Sequence, residues 1–196
     1  MATPEYVLRL RESVGHELLV LPGVSAVIVR EGPDGRELLL VRRSDNGQWT
    51  PVTGIADPGE DVDTAAVREA LEETGVRIEI DRVTWVETLA PQTYGNGDRC
   101  QFFDTCLLAH PVGGRAHVGD EESTAVGWFP VSALPPMAER FRRKVAHALS
   151  GERRVRPGTG AVRPRGCGNP HMEAASPRMG RRRGVLGAVR VGLPWF

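Results

Sequence analysis

The chain has 196 residues, 40% hydrophobic and 26% charged, which suits one core of ordinary size and offers no membrane-spanning apolar run. Its formal net charge of zero hides an asymmetry: residues 151–196 carry ten arginines against Glu152 and Glu173, a balance of +8, so residues 1–150 carry −8. The opening MATPEYVLRLRESVGHE contains acids and no apolar stretch of the signal-peptide kind.

Partial periodicity of Tyr6, Leu8, Leu10 and Val14 predicts a helix over 5–18, within an N-terminal extension of residues 1–20. Residues 23–30 are β-rich, EGPDGR is a turn, and 37–43 pairs back as a hairpin. After a second turn at Ser44-Asp-Asn-Gly, residues 49–53 are short and extended, with Pro51 marking an edge. Asp57-Pro-Gly59 is a turn. A helix then begins near Asp61 or Asp63, where an acid suits the N-terminal N–H groups, and ends at Thr74 before a left-handed Gly75. Its expected buried face is Val62, Ala66, Val67, Ala70, Leu71 and Thr74. Strands follow at 76–80, 83–89, 100–109 and 125–129, with loops at 91–99 and 110–124, and a helix closes the domain over 137–149. Strands with interspersed helices make an α/β class with a mixed sheet. From Gly151 the Gly/Pro/Arg-rich composition cannot build a core and reads as a disordered tail.

The chemistry concentrates in residues 54–76, GIADPGEDVDTAAVREALEETGV. On a helix, Glu69, Glu72 and Glu73 project from one side, and like charges at that spacing repel. Glu60, in the preceding loop, can fold back to the same point. Four converging carboxylates would hold a hard divalent cation, and oxygen-only ligation favours Mg²⁺ or Mn²⁺ over zinc. Mg²⁺ shared with substrate phosphates points to phosphoanhydride chemistry. The plainer alternative is a solvated acidic face. Cys100, Cys106 and Cys167 have neither metal spacing nor an even count and read as reduced thiols of a cytoplasmic protein. The five histidines are scattered without ligand spacing.

The same stretch resembles the signature of the Nudix hydrolase family, matching it at Gly54, Glu60, Arg68, Glu69, Glu72, Glu73, Gly75 and Val76, with Ala70 in place of a bulkier aliphatic. The looser resemblance covers about residues 20–149 and implies an α/β/α sandwich with the box helix on a mixed sheet, a Nudix domain over 21–150. It implies that Glu69, Glu72 and Glu73 are metal ligands, that Glu69 orients or deprotonates the attacking water, and that Glu60 is a supporting ligand. Arg68 would hold a box glutamate in place. The backbone carbonyl of Thr53, where the family commonly has glycine, would also bind metal. A downstream acid often completes such sites; of Asp120, Glu121 and Glu122, Glu122 is favoured.

In the family's layout Arg42 and Arg43 end a strand beside the cleft. Strand alternation lets only one face inward, Arg43 being preferred as the phosphate ligand. Trp49, Phe102, Phe103 and Tyr94 are candidates to stack on a nucleobase, whereas Trp85 and Trp128 read as core. The implied activity is Mg²⁺-dependent hydrolysis of a nucleoside diphosphate linked to a group X, of the nucleoside triphosphate or ADP-ribose type. Its rivals are a non-catalytic nucleotide or ADP-ribose sensor and a polyanion binder acting through the basic tail. Family members are often dimers, so a homodimer is an allowed state, and no membrane partner is expected.

Overall fold

The structure, a computed structural model, describes residues 3–158. In chain order these form α1 (Glu5–Val14), β1 (Leu19–Gly32), β2 (Gly35–Arg43), β3 (Trp49–Thr50), β4 (Val52–Ile55), α2 (Val62–Thr74), β5 (Val76–Thr88), β6 (Gln92–Thr93), β7 (Arg99–Gly114), β8 (Ser123–Pro130), α3 (Glu139–Leu149) and β9 (Arg156–Pro157). The sheet runs β3-β2-β1-β7-β5-β9, with β4 also on β1, β6 on β7 and β8 on β2. The β1–β7 and β5–β9 pairs are parallel and the rest antiparallel, so the sheet is mixed.

Strand alternation buries both faces. Ala26, Ile28, Leu39, Val41, Leu107 and Ala109 face one way and pack on Ala66 and Ala70 of α2. Val27, Leu38, Leu40, Trp85 and Cys106 face the other way, onto Val145 and Ala148 of α3. A helix thus covers each side, giving the α/β/α sandwich. The N-terminal helix adds a smaller cluster, with Val7 packed among Leu21, Ile55 and Cys100. Among the described residues, no helix is long and apolar enough to cross a membrane.

Several boundaries differ from the sequence reading. Helix α1 stops at Val14 because Gly15 leaves helical geometry at φ 57°. The two strands expected over 76–89 are one, β5: register shifts around Asp81 absorb the polar Asp81-Arg82 pair as a bulge without ending the ladder. Strand β7 continues through His110–Gly114, since those residues pair with the start of β5. Residues 156–157 pair beside Trp85 and Val86, so structure extends past the expected domain end. The expectation of a disordered tail otherwise concerns residues 159–196, outside the described residues.

Helix α2 ends as expected, with Gly75 left-handed at φ 68°, ψ 8° and its N–H donating to Leu71 O. Its start is less conventional: Asp61 occupies the cap position but its side chain makes no capping hydrogen bond. The buried face also differs. Leu71 is exposed, while Ala65, Glu69 and Glu73 are buried. The helix turns two acids toward the protein and a leucine toward water, against the ordinary hydrophobic order.

Candidate active site

Helix α2 lies on β4 because Gly54 has no side chain. A methyl group on Gly54 would overlap the Glu69 side chain, so glycine lets the strand and the carboxylate meet. Glu69 Oε1 then accepts hydrogen bonds from Ile55 N–H (3.3 Å) and Arg68 Nη1 (3.1 Å). Glu73, one turn on, is 4% exposed, and its Oε2 is buried without a hydrogen-bond partner. Burial raises both carboxyls, Glu73 to about 8, helped by the charges of Glu69 and Asp120 and opposed by Arg43.

Arg68 holds the remaining acids. Its guanidinium pairs bidentately with Glu60 (Nε–Oε1 2.9 Å, Nη2–Oε2 2.9 Å), reaches Glu72 at 3.2 Å, and donates to Ile55 O. These hydrogen bonds hold the Glu60 carboxyl below its usual range and raise Arg68, the Glu60 bond contributing most. The expected arginine–glutamate pairing is therefore present, but the expected convergence of four carboxylates is not. Among the described residues no three His, Cys, Asp or Glu side chains gather as a ready ligand group. A guanidinium stands among the acids and supplies the positive charge, with both oxygens of Glu60 engaged.

The downstream loop meets α2 at its C-terminal end. His117 N–H donates to Thr74 O and Gly119 N–H to Glu73 O, both at 3.0 Å, which satisfies carbonyls the helix leaves open. This brings Asp120 beside the box helix, where it lines a cavity with Arg68, Glu69 and Glu72. Two residues on, Glu122 donates its N–H to Asp120 Oδ1 at 3.0 Å, and its backbone carbonyl accepts from Ser44 N–H at 2.7 Å.

A second cavity, of about 170 Å³, opens on the α3 side and is lined by Thr53, Gly54, Arg43, Tyr94 and Phe102 among others. Arg43 faces it, held by Asp45 through two hydrogen bonds of 2.9 and 2.8 Å. Arg42 is exposed on the other side, its Nε donating to Gly47 O, so alternation selects Arg43 as expected. Two aromatic expectations are corrected. Trp49 packs edge-on against Phe129, ring centroids 4.7 Å apart, within the α3-side core. Phe103 is 51% exposed, pointing away from the cavity that its neighbour Phe102 lines. Trp85 is core as expected. Trp128 is only partly buried and packs at the edge of the other cluster under Arg30, 4.1 Å from its centroid.

Sequence reasoning missed a polar network on the α3 face. Lys144, 1% exposed, places Nζ against Asp104 Oδ2 at 2.5 Å and Glu87 Oε1 at 3.0 Å, and Ser25 Oγ donates to Asp104. The strand partners lie far apart in the chain, so spacing carries no signal. It also missed that α1 is tied down by Arg11, which donates to Gly15 O, Glu17 O and Arg99 O.

The donor chemistry of the α2 cluster suits a hard divalent cation. It is oxygen-only, and it contains a buried carboxylate oxygen that no protein hydrogen satisfies. The arrangement can bring a cation, a phosphate-binding arginine and an aromatic wall to one end of the sheet.

The NUDIX domain model matches residues 21–149. A MutT-like protein of Streptomyces ambofaciens is 38% identical over 129 residues, which make up 65% of this chain and 76% of that one. A putative nudix hydrolase of Caenorhabditis elegans is 31% identical over 114 residues, but the chain spans only 29% of its length. The crystal structure of an ADP-ribose pyrophosphatase from Streptococcus suis superimposes with a TM-score of 0.52 at 22% identity, covering 69% of this chain and 98% of that one, a likeness of fold. With the domain match spanning well over half its length and the box residues in place on α2, the chain belongs to the Nudix family.

Proposed function

We propose that this Nudix hydrolase splits the pyrophosphate bond of a nucleoside diphosphate linked to a group X, with Mg²⁺, or Mn²⁺ in its place, as cofactor. The carrying observation is the unpartnered, buried Oε2 of Glu73 beside Glu69. Leaving such an atom unmatched costs about 1–3 kcal/mol or more, and a cation would remove that cost. Glu69, Glu72, Glu73 and the Thr53 carbonyl would hold the ion, with Asp120 joining Glu122 as a candidate downstream acid. When bound, the metal would polarise the phosphoryl group and acidify the attacking water.

The chain's own groups have separable tasks. Arg43 would bind phosphate oxygens through charge-assisted hydrogen bonds, with Asp45 restraining its rotamer. Glu69 would orient or deprotonate the water. Arg68 and Glu60 hold Glu69 and Glu72 in position. Phe102 and Tyr94 supply apolar area for a base. The MutT-like name of the Streptomyces relative agrees with a nucleotide substrate.

The test is a panel of ADP-ribose, deoxynucleoside triphosphates, oxidised dGTP and dinucleoside polyphosphates incubated with the full chain and Mg²⁺. The reading expects nucleoside monophosphate release from at least one class, abolished by chelation. Tight binding of ADP-ribose without turnover of any of them would support the sensor instead.

A further inference from the structure

The cavity on the α3 side has a floor built unlike its rim. On β1 and β7, which pair in parallel, Gly23 lies opposite Asp104 and Leu21 opposite Phe102. A methyl group on Gly23 would come within 3.2 Å of Asp104 Oδ1 and 3.3–3.4 Å of Phe102. Glycine therefore leaves open a shallow space bounded by an aromatic ring and a carboxylate. Phe102 and Asp104 share a face as i and i+2 of one strand, and both line the cavity.

Asp104 is held more firmly than its surroundings require. Ser25 Oγ donates to it across both oxygens, at 3.0 and 3.2 Å, and Lys144 Nζ donates to Oδ2. Those two hydrogens fill part of the roughly four acceptor sites of an ionised carboxylate. Lys144 is itself fully buried and shared with Glu87. Gathering one ammonium and two carboxylates in the interior costs several kcal/mol per ion before their attraction repays it. An apolar contact would hold β7 to α3 without that cost, and it would not present an acceptor edge to the cavity.

We propose that Asp104, fixed by Ser25 and Lys144, is the base-reading residue of this cleft, taking a planar base over Gly23 against Phe102. An acceptor-only edge matches a base that offers adjacent N–H donors. Among the common bases that is guanine, with its ring N–H beside an exocyclic amine. Adenine, cytosine and the uracil ring each set an acceptor next to their donor, facing the second carboxylate oxygen. This specificity rests on the nucleotide hydrolase reading but does not depend on turnover.

Calorimetric titration of the full chain in chelator with GMP, IMP and AMP tests it. GMP should bind roughly tenfold or more tighter than IMP, which lacks the amine, and than AMP, as expected for a charge-assisted hydrogen bond. Asp104→Asn should reduce that preference to less than about threefold. If that variant fails to fold, Gly23→Ala, which fills the space above Phe102 and Asp104, should weaken GMP about tenfold or more while its melting temperature stays near wild type. Equal affinities for the three nucleotides, no measurable binding of any, or an unchanged preference in the variants would overturn the proposal. Metal-dependent turnover alongside equal affinities would sink the base assignment alone. A GMP preference without any turnover would sink only the hydrolase reading.

Discussion

Two groups of carboxylates, each built around buried acids, sit on opposite faces of the sheet and are neutralised differently. On the α3 face, Asp104 and Glu87 share the ammonium of Lys144, and Ser25 Oγ also donates to Asp104. On the α2 face, Arg68 serves Glu60, Glu69 and Glu72, while Glu73 retains a buried oxygen with no donor. In the first group each carboxylate has a protein donor, and Asp104 keeps acceptor capacity toward the cavity it lines. In the second, four carboxylates have one guanidinium among them, and burial pushes Glu69 and Glu73 toward the protonated form, Glu73 to about 8, while Arg68 holds Glu60 below its usual range. A carboxylate fixed by protein donors reads as a positioning device, and a buried oxygen without a donor reads as a place for a cation.

The largest expected effect breaks the α2 side. Glu69→Gln and Glu73→Gln should each lower Mg²⁺-dependent turnover by about 10²–10⁴-fold, on the scale of losing an acid–base or charge-stabilising group, with the circular dichroism spectrum unchanged. Rates within threefold of wild type would contradict the assigned site. On the α3 side the damage should be to stability. Lys144→Met leaves buried Asp104 and half-buried Glu87 without their cation and should cost about 3–5 kcal/mol in urea unfolding. A cost under ~1 kcal/mol would show that Lys144 does not neutralise this network as described.

The next contrast is in pH. The folded Glu73 carboxyl lies above its unfolded value of 4.5, so the folded protein binds more protons than the unfolded chain between those values. The associated stability is fully present below pH 4.5 and is lost as pH rises through about 8. In chelator, the melting temperature should therefore fall between pH 5 and 8, Glu73→Gln should flatten that fall, and added Mg²⁺ should raise the melting temperature more at pH 8 than at pH 5. A pH-independent Mg²⁺ shift would argue against Glu73 as a ligand. The smallest effect separates neighbouring phenylalanines: Phe102→Leu should raise KM several-fold, and Phe103→Leu should leave it within about twofold. The reverse order would invert the strand alternation assigned to β7.

The fold was legible wherever the pattern was local. Gly75 announced the end of α2, and the turn at Pro33-Asp34 set the β1–β2 hairpin, whose register closes at Gly32 opposite Gly35. The box residues were legible because their spacing carries chemistry. What escaped depended on partners distant in sequence. The phase of α2 was misjudged at Leu71 because hydropathy assigns glutamates outward, whereas Gly54 and Ile55 draw Glu69 inward. The place of Asp120 beside α2 was not legible because nothing in the sequence shows that Gly119 would hydrogen-bond to Glu73 O. Phe102 and Phe103 were both stacking candidates because a long apolar strand gives no sign of which parity faces the cavity. The Ser25–Asp104–Lys144 network joins three elements through a parallel pairing that no short motif encodes.

The central claim is that Glu69 and Glu73 hold a divalent cation. Anomalous diffraction from crystals of the full chain soaked in Mn²⁺, with a non-hydrolysable nucleotide present, measures this directly. The account predicts an anomalous peak within coordination distance of both carboxylates, with the Arg68–Glu72 contact loosened to admit it. Density showing Glu73 still unpartnered and Mn²⁺ elsewhere or absent would contradict it.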